Sequence, residues 1–202
     1  MKIICVGRNY VAHAAELNNA IPEKPVIFLK PDTALLQQNK SFFIPDFTKE
    51  VHHEIEMVYK ICKEGKHIAK KFANRYYDAV TVGIDFTARD IQQQQKEKGL
   101  PWEIAKAFDH SAAIGEFVSF DQAAHSKATI NLTINGESRQ HGCIADTLFH
   151  IDDIIAYISA IITLRKGDLI FTGTPSGVSA VKKGDRLQGY LNGECLFDFL
   201  VK

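Results

Sequence analysis

Residues 51–60, VHHEIEMVYK, decide how the chain folds, because apolar and polar side chains alternate through them. Ile55, Met57 and Tyr59 fall on one face of a strand, and Glu54 and Glu56 on the other. A strand rises ~3.3 Å per residue, so the two glutamate Cβ atoms stand ~6.5–7 Å apart and their carboxylates can converge. Converging anions repel, and one resists ionising unless a cation, a shared proton or water compensates. An edge strand with a charged, solvated face fits the same ten residues. The rest of the chain has to separate the two readings.

Outward from this strand, further strand patterns run through PVIFLK (25–30), AVTVGIDF (79–86), ATINLTING (128–136), RKGDLIFTG (165–173) and GDRLQGYLNGECLFDFL (184–200). Asn192-Gly193 lies between alternating runs as a two-residue hairpin turn, and Asn135-Gly136 repeats that signal. Helical patterns are fewer: NYVAHAAEL (9–17), ANRYYDA (73–79), ARDIQQQQKEKG (88–99) and DDIIAYISAII (152–162). The balance predicts an α+β, mainly β fold: a mixed sheet curled on itself with short helices at its edges. With 202 residues, 46% of them hydrophobic, and no low-complexity linker or long charge run, one domain over residues 1–202 is expected.

Twenty-four basic and 24 acidic residues leave no net charge, so there is no electrostatic footprint for nucleic acid or an acidic membrane. The opening MKIICVGRNY has neither a signal-peptide core nor a cleavage pattern, and no apolar run reaches ~18–20 residues, which places the chain in the cytosol. Cys5, Cys62, Cys143 and Cys195 are scattered without C-x-x-C spacing and read as reduced thiols, not as a zinc or redox pair.

A third acid, Asp85, ends an apolar run just before the polar segment 88–99. It could cap that segment, as could Asp90. With Glu54 and Glu56 it could instead complete an oxygen-only site, whose hard donors select Mg2+ or Mn2+ over zinc. His52 shares the glutamate face and keeps a zinc alternative open; His53 points away.

HHEIEM (52–57), GIDFTARDIQ (83–92), GLPWEIAKAFD (99–109), INGESRQ (134–140) and GDLIFTGTPSGV (167–178), in that order, resemble the fumarylacetoacetate hydrolase family over nearly the whole chain. The opening CVGRNYVAHAAEL and KGLPWEIAK are similar to its short, single-domain branch acting on acylpyruvates and oxaloacetate. The resemblance implies a β-roll, a bound Mg2+ or Mn2+, a homodimer and a small 2-oxo acid substrate. It implies that Glu54, Glu56 and Asp85 are metal ligands and that Lys106 reaches into the site. Arg89 and Gln92 would face substrate, and Thr174 would contact a substrate carboxylate. It further implies that His13, oriented by Glu16 on a segment that orders over substrate, activates water; spacing by three on a helical segment lets the two meet. Ile84 stands before Asp85 where many members have Asn, so the pocket departs from theirs.

The implied activity is metal-dependent cleavage of small 2-oxo acids through a stabilised enolate, as acylpyruvate hydrolysis or oxaloacetate decarboxylation. The alternatives are a 2-hydroxyhepta-2,4-diene-1,7-dioate isomerase using the same enolate, and a non-catalytic metal- or ligand-binding protein on the same fold.

Overall fold

The two Asn-Gly pairs form the expected tight turns. Asn135 and Gly136 have φ of 54° and 84°, and Asn192 and Gly193 have 50° and 85°, the left-handed pair that matches the twist of antiparallel strands. The computed structural model describes residues 1–11, 20–36, 39–120 and 126–202. Its strands begin with β1 (Ile3–Gly7), β2 (Val26–Lys30), β3 (Leu35–Leu36), β4 (Val51–His53) and β5 (Ile55–Ile61). They continue with β6 (Tyr77–Asp85), β7 (Thr87–Ala88), β8 (Ala112–Ile114), β9 (Val118–Ser119) and β10 (Thr129–Ile134). The last are β11 (Glu137–Cys143), β12 (Leu169–Phe171), β13 (Ser179–Ala180), β14 (Arg186–Leu191) and β15 (Glu194–Leu200). Helices α1 (Arg89–Lys98), α2 (Glu103–Lys106) and α3 (Ile151–Ile161) lie among them.

An eight-stranded sheet runs β2-β1-β12-β5-β6-β8-β3, with β9 also paired to β6. It is mixed, because β1–β12 and β3–β8 are parallel and the other pairs antiparallel. A four-stranded sheet, β11-β10-β14-β15, and a three-stranded one, β13-β4-β7, complete the mainly-β fold. The main core lies between the two larger sheets, where Ile55, Met57, Tyr59, Val82 and Ile84 meet Ile130, Leu132, Leu187 and Phe197. Period-2 alternation delivers these side chains to one face. The opposite face of the large sheet carries a smaller cluster of Ile3, Cys5, Val58, Leu169 and Phe171.

Two expectations need correction. The stretch VHHEIEMVYK is not one strand: it breaks at Glu54, where the chain leaves the three-stranded sheet for the eight-stranded one. ANRYYDA is not a helix either, since a 3-10 turn over Lys70–Arg75 gives way to β6 at Tyr77. Tyr77 packs edge-on against Tyr59 (5.3 Å between centroids) and Phe120 (4.8 Å), and this aromatic contact across the sheet outweighs a short helical pattern. The segment 152–162 is helical as expected, burying Ile151, Ile154, Ile155 and Ile158 in an i, i+3, i+4, i+7 stripe. The predicted helix over NYVAHAAEL lies mostly outside the described residues, as do His13 and Glu16.

Gly83 of β6 stands opposite Glu56 of β5. A Cβ there would come within 2.6 Å of Ala113 O, 2.8 Å of Phe171 Cε1 and 2.9 Å of Val58 Cγ2. Gly83→Ala is therefore expected to destabilise the fold by about 1–3 kcal/mol, the usual cost of overpacking. Urea unfolding measures it; wild-type stability would show that the strand pair can open.

Candidate active site

The sheet register brings the three acids together. Glu56 faces Gly83 across the β5–β6 ladder, and the Asp85 N–H donates to Glu54 O at 2.9 Å. Glu54 and Asp85 are thus cross-strand neighbours on the face that Glu56 shares, and the missing Cβ of Gly83 lets Phe171 and Val58 pack close beside Glu56 on that face. All three carboxylates are buried, at 5%, 2% and 1% exposure, which excludes the solvated edge strand. Each offers an oxygen within 4.8 Å of the others, the one such group among the described residues. Neither acid is the N-cap of α1, which is Ala88; Asp90 lies in the first turn and accepts from Ile91 N (2.9 Å), Lys49 N (3.0 Å) and Thr48 Oγ1 (2.5 Å).

Side chains supply much of the compensating charge. Lys106, at the end of the short α2, donates from Nζ to Asp85 Oδ2 (2.6 Å), Glu54 Oε2 (2.9 Å) and Thr87 Oγ1 (2.6 Å). Lys30 Nζ lies 2.6 Å from Asp85 Oδ1 and donates to Ser111 O at 2.8 Å. Arg89, in the first turn of α1, pairs with Glu54 and donates to Gln92 Oε1 at 2.6 Å. Burial pushes the Glu56 carboxyl well above its usual range, with Asp85 and Glu54 adding to the shift; the Gly173 N–H, 2.6 Å from its Oε2, pulls the other way. Burial alone would lower the Lys106 ammonium, but Asp85 and Glu54 raise it above its ordinary value, so it is a fixed positive charge.

The three acids form one end of a pocket walled by Val6, Phe28, Trp102 and Thr174 and by the cations Arg8, Arg89, Lys96 and Lys106. Gln140 braces it. Its Nε2 donates to Thr174 Oγ1 (2.8 Å) and Pro175 O (2.9 Å), while its Oε1 accepts from the Ile55 N–H at 3.0 Å. That oxygen also lies 2.8 Å from His53 Nδ1, which must then carry the proton, leaving Nε2 to accept from Ser179 Oγ at 2.8 Å. Burial holds His53 below its ordinary pKa, consistent with a neutral structural ring.

The match to known proteins follows this geometry. The model of the fumarylacetoacetate (FAA) hydrolase C-terminal region matches residues 2–195. The chain belongs to the fumarylacetoacetate hydrolase family. It is 39% identical over 201 residues to the mitochondrial oxaloacetate tautomerase FAHD1 of Bos taurus, covering 99% of this chain and 91% of that protein. Fumarylpyruvate hydrolase from Pseudomonas aeruginosa, in complex with Mn2+ and pyruvate, superposes with a TM-score of 0.93 at 39% identity over 100% of this chain and 89% of that one. The 2-hydroxyhepta-2,4-diene-1,7-dioate isomerase from Mycobacterium marinum gives 0.86 at 32% identity, over 99% and 73%. These family relatives are enzymes.

Of the residues singled out in the sequence, Glu54, Glu56, Asp85, Arg89, Gln92, Lys106 and Thr174 all line one pocket. His52 does not join the acids: its Nε2 lies 2.7 Å from Glu50 Oε1 and its Nδ1 accepts from Arg89 Nε at 3.4 Å. Sequence reasoning missed Lys30, Arg8, Lys96 and Gln140. Lys30 closes an ordinary-looking strand, and its role shows only in the folded chain, where it is buried against Asp85. Gln140 ends the INGESRQ motif, which carried the family resemblance without a chemical reason for the glutamine.

The pocket fits a divalent cation by its donor set. Three buried carboxylates offer hard oxygen ligands without thiolate or imidazole, a composition for Mg2+ or Mn2+. Asp85 Oδ1 meets the Lys30 ammonium at 2.6 Å as an ion pair, and a carboxylate oxygen with more than one lone pair can share such a contact with a ligand.

Proposed function

We propose that this chain is a Mg2+- or Mn2+-dependent enzyme of small 2-oxo acids, cleaving acylpyruvates by hydrolysis and oxaloacetate by decarboxylation. The observation that carries the reading is the convergence of Glu54, Glu56 and Asp85 within 4.8 Å in a buried pocket whose other charged groups are cationic. Held by these three acids, the cation would supply the Lewis-acid charge against which negative charge develops on the 2-oxo acid.

The chain's own residues do the rest. Lys106 and Arg89 hold the acids in place and add fixed positive charge next to the substrate's oxygens, at no cost of reorganisation during the reaction. Thr174, fixed by Gln140, offers a hydroxyl to a substrate carboxylate, and Gln92 is oriented by Arg89. His13, tuned by Glu16, takes the proton of the attacking water in hydrolysis. Lys30, Lys106 and Arg89 already balance the three acids, so a divalent ion together with Arg8 and Lys96 leaves an excess of positive charge. That excess favours a substrate with two carboxylates, such as oxaloacetate.

A second reading has support from the relatives. An oxaloacetate tautomerase and a diene-dioate isomerase lie within the same family, and moving a proton at the carbon beside the oxo group needs the same charge stabilisation. Protein loaded with Mg2+ or Mn2+ is to be assayed on acylpyruvates, on oxaloacetate by both decarboxylation and keto–enol exchange, and on unsaturated 2-hydroxy diacids. Cleavage of an acylpyruvate or loss of carbon dioxide from oxaloacetate is the expected result. Proton exchange with no cleavage of either would replace the reading by the tautomerase or isomerase one.

A further inference from the structure

The cations around the pocket divide into two sets. Arg89 and Lys106 are committed to site acids, as is Lys30 behind Asp85. Arg8 and Lys96 line the same pocket without a salt bridge among the described residues, and each lies 5.9 Å from the centroid of the Trp102 ring. Arg8 Nε is buried and has no hydrogen-bond partner among the described residues. A buried donor left without an acceptor is costly, and such groups in native proteins call for an explanation.

The backbone holds Arg8 in place. Its φ is +60°, a left-handed conformation that a long side chain adopts only where the surroundings impose it. The neighbour Asn9 imposes it: fully buried, it donates from Nδ2 to Thr172 O (2.7 Å) and Phe149 O (2.9 Å) and accepts from Phe149 N (2.8 Å). The turn is pressed against the one bearing Thr174, where a Cβ on Gly173 would meet Asn9 Cβ at 2.7 Å. Arg8 is therefore tied to the same rigid turn as a pocket residue and presents a planar fork of donors, a shape that matches a carboxylate, with its Nε left without an acceptor among the described residues.

We propose that Arg8, with Lys96 beside it on the Trp102 wall, binds the second carboxylate of the substrate and makes the site selective for 2-oxo diacids over monoacids of equal length. The inference rests on the 2-oxo acid reading above and names the part of the substrate that reading leaves open. Trp102 contributes by excluding water around the two cations, so that a carboxylate placed between them is held more strongly than in solvent.

The test is calorimetric titration of the Mg2+-loaded protein with 2-oxoglutarate and 2-oxopentanoate, equal in length and different only in the distal carboxylate. Wild type should prefer the diacid by about 10–100-fold, the worth of a charge-assisted hydrogen-bonded pair. In Arg8→Asn, chosen because Asn tolerates positive φ, that preference should vanish while affinity for Mg2+ and for 2-oxopentanoate stays. Lys96→Gln should reduce the preference in the same direction by less. Equal weakening of both acids in Arg8→Asn would mean that Arg8 only shapes the pocket and would overturn the inference, as would a wild type without preference. A folded, metal-binding wild type that takes up neither acid would overturn the 2-oxo acid reading itself, and this inference with it.

Discussion

Asp85→Ala is expected to abolish divalent-metal binding and all turnover, and to destabilise the fold by about 3–5 kcal/mol, the cost of removing one partner from a buried ion pair. Asp85 receives Lys106 Nζ and Lys30 Nζ, each at 2.6 Å, and both ammoniums are buried, at 3% and 2% exposure. Its loss leaves two cations in the interior with one fewer anion between them. Glu56→Ala should lose metal as well but cost less stability, because among the described residues Glu56 makes no ion pair and accepts one backbone hydrogen bond, from Gly173. Titration of Mn2+ into the three proteins, with urea unfolding of each, separates the two roles of Asp85. Wild-type Mn2+ affinity in Asp85→Ala would remove it from the ligand set; wild-type stability would show that the lysines find water.

His13→Ala should reduce acylpyruvate hydrolysis by on the order of 10²–10⁴-fold, the usual contribution of a general base, and oxaloacetate decarboxylation by much less. Hydrolysis needs a proton taken from the attacking water, whereas decarboxylation breaks a bond with no water involved, so only one of the two reactions uses the imidazole as a base. Glu16→Ala should follow the same pattern more weakly, since it orients and tunes the ring without accepting the proton. Steady-state rates on both substrates, with metal affinity measured alongside, decide it. An equal loss of both activities would give His13 a role in closing the site over any substrate. No loss of either would return His13 and Glu16 to a surface pair.

The local chemistry of the chain was legible residue by residue. The Asn-Gly turns, the Ile stripe of α3 and the alternation of β5 depend on backbone preferences and on periods of 2 and 3.6, which short segments carry within themselves. The acids of the site were visible too, because Glu54 and Glu56 are two apart in an alternating stretch and Asp85 ends an apolar run. What short segments cannot carry is the partner across the sheet. That Gly83 stands opposite Glu56, and that Asp85 is bonded to the backbone of Glu54, follow from a register set by packing along the whole of β5 and β6. The break at Glu54 and the strand that replaced the expected helix at Tyr77 have the same origin: contacts between distant residues outweighed a local pattern.

The sequence alone therefore determined the mainly-β class, the turns and the acidic ligand candidates, since each depends on the order of neighbouring residues. Only the tertiary structure decided which charges meet those acids. Lys30, Lys106 and Arg89 come from three separate elements and lie in contact with them because burial admits a charged group only beside its opposite. The same rule distinguishes Arg8, whose Nε is buried without such a partner among the described residues and whose place on the pocket wall no spacing in the sequence announces.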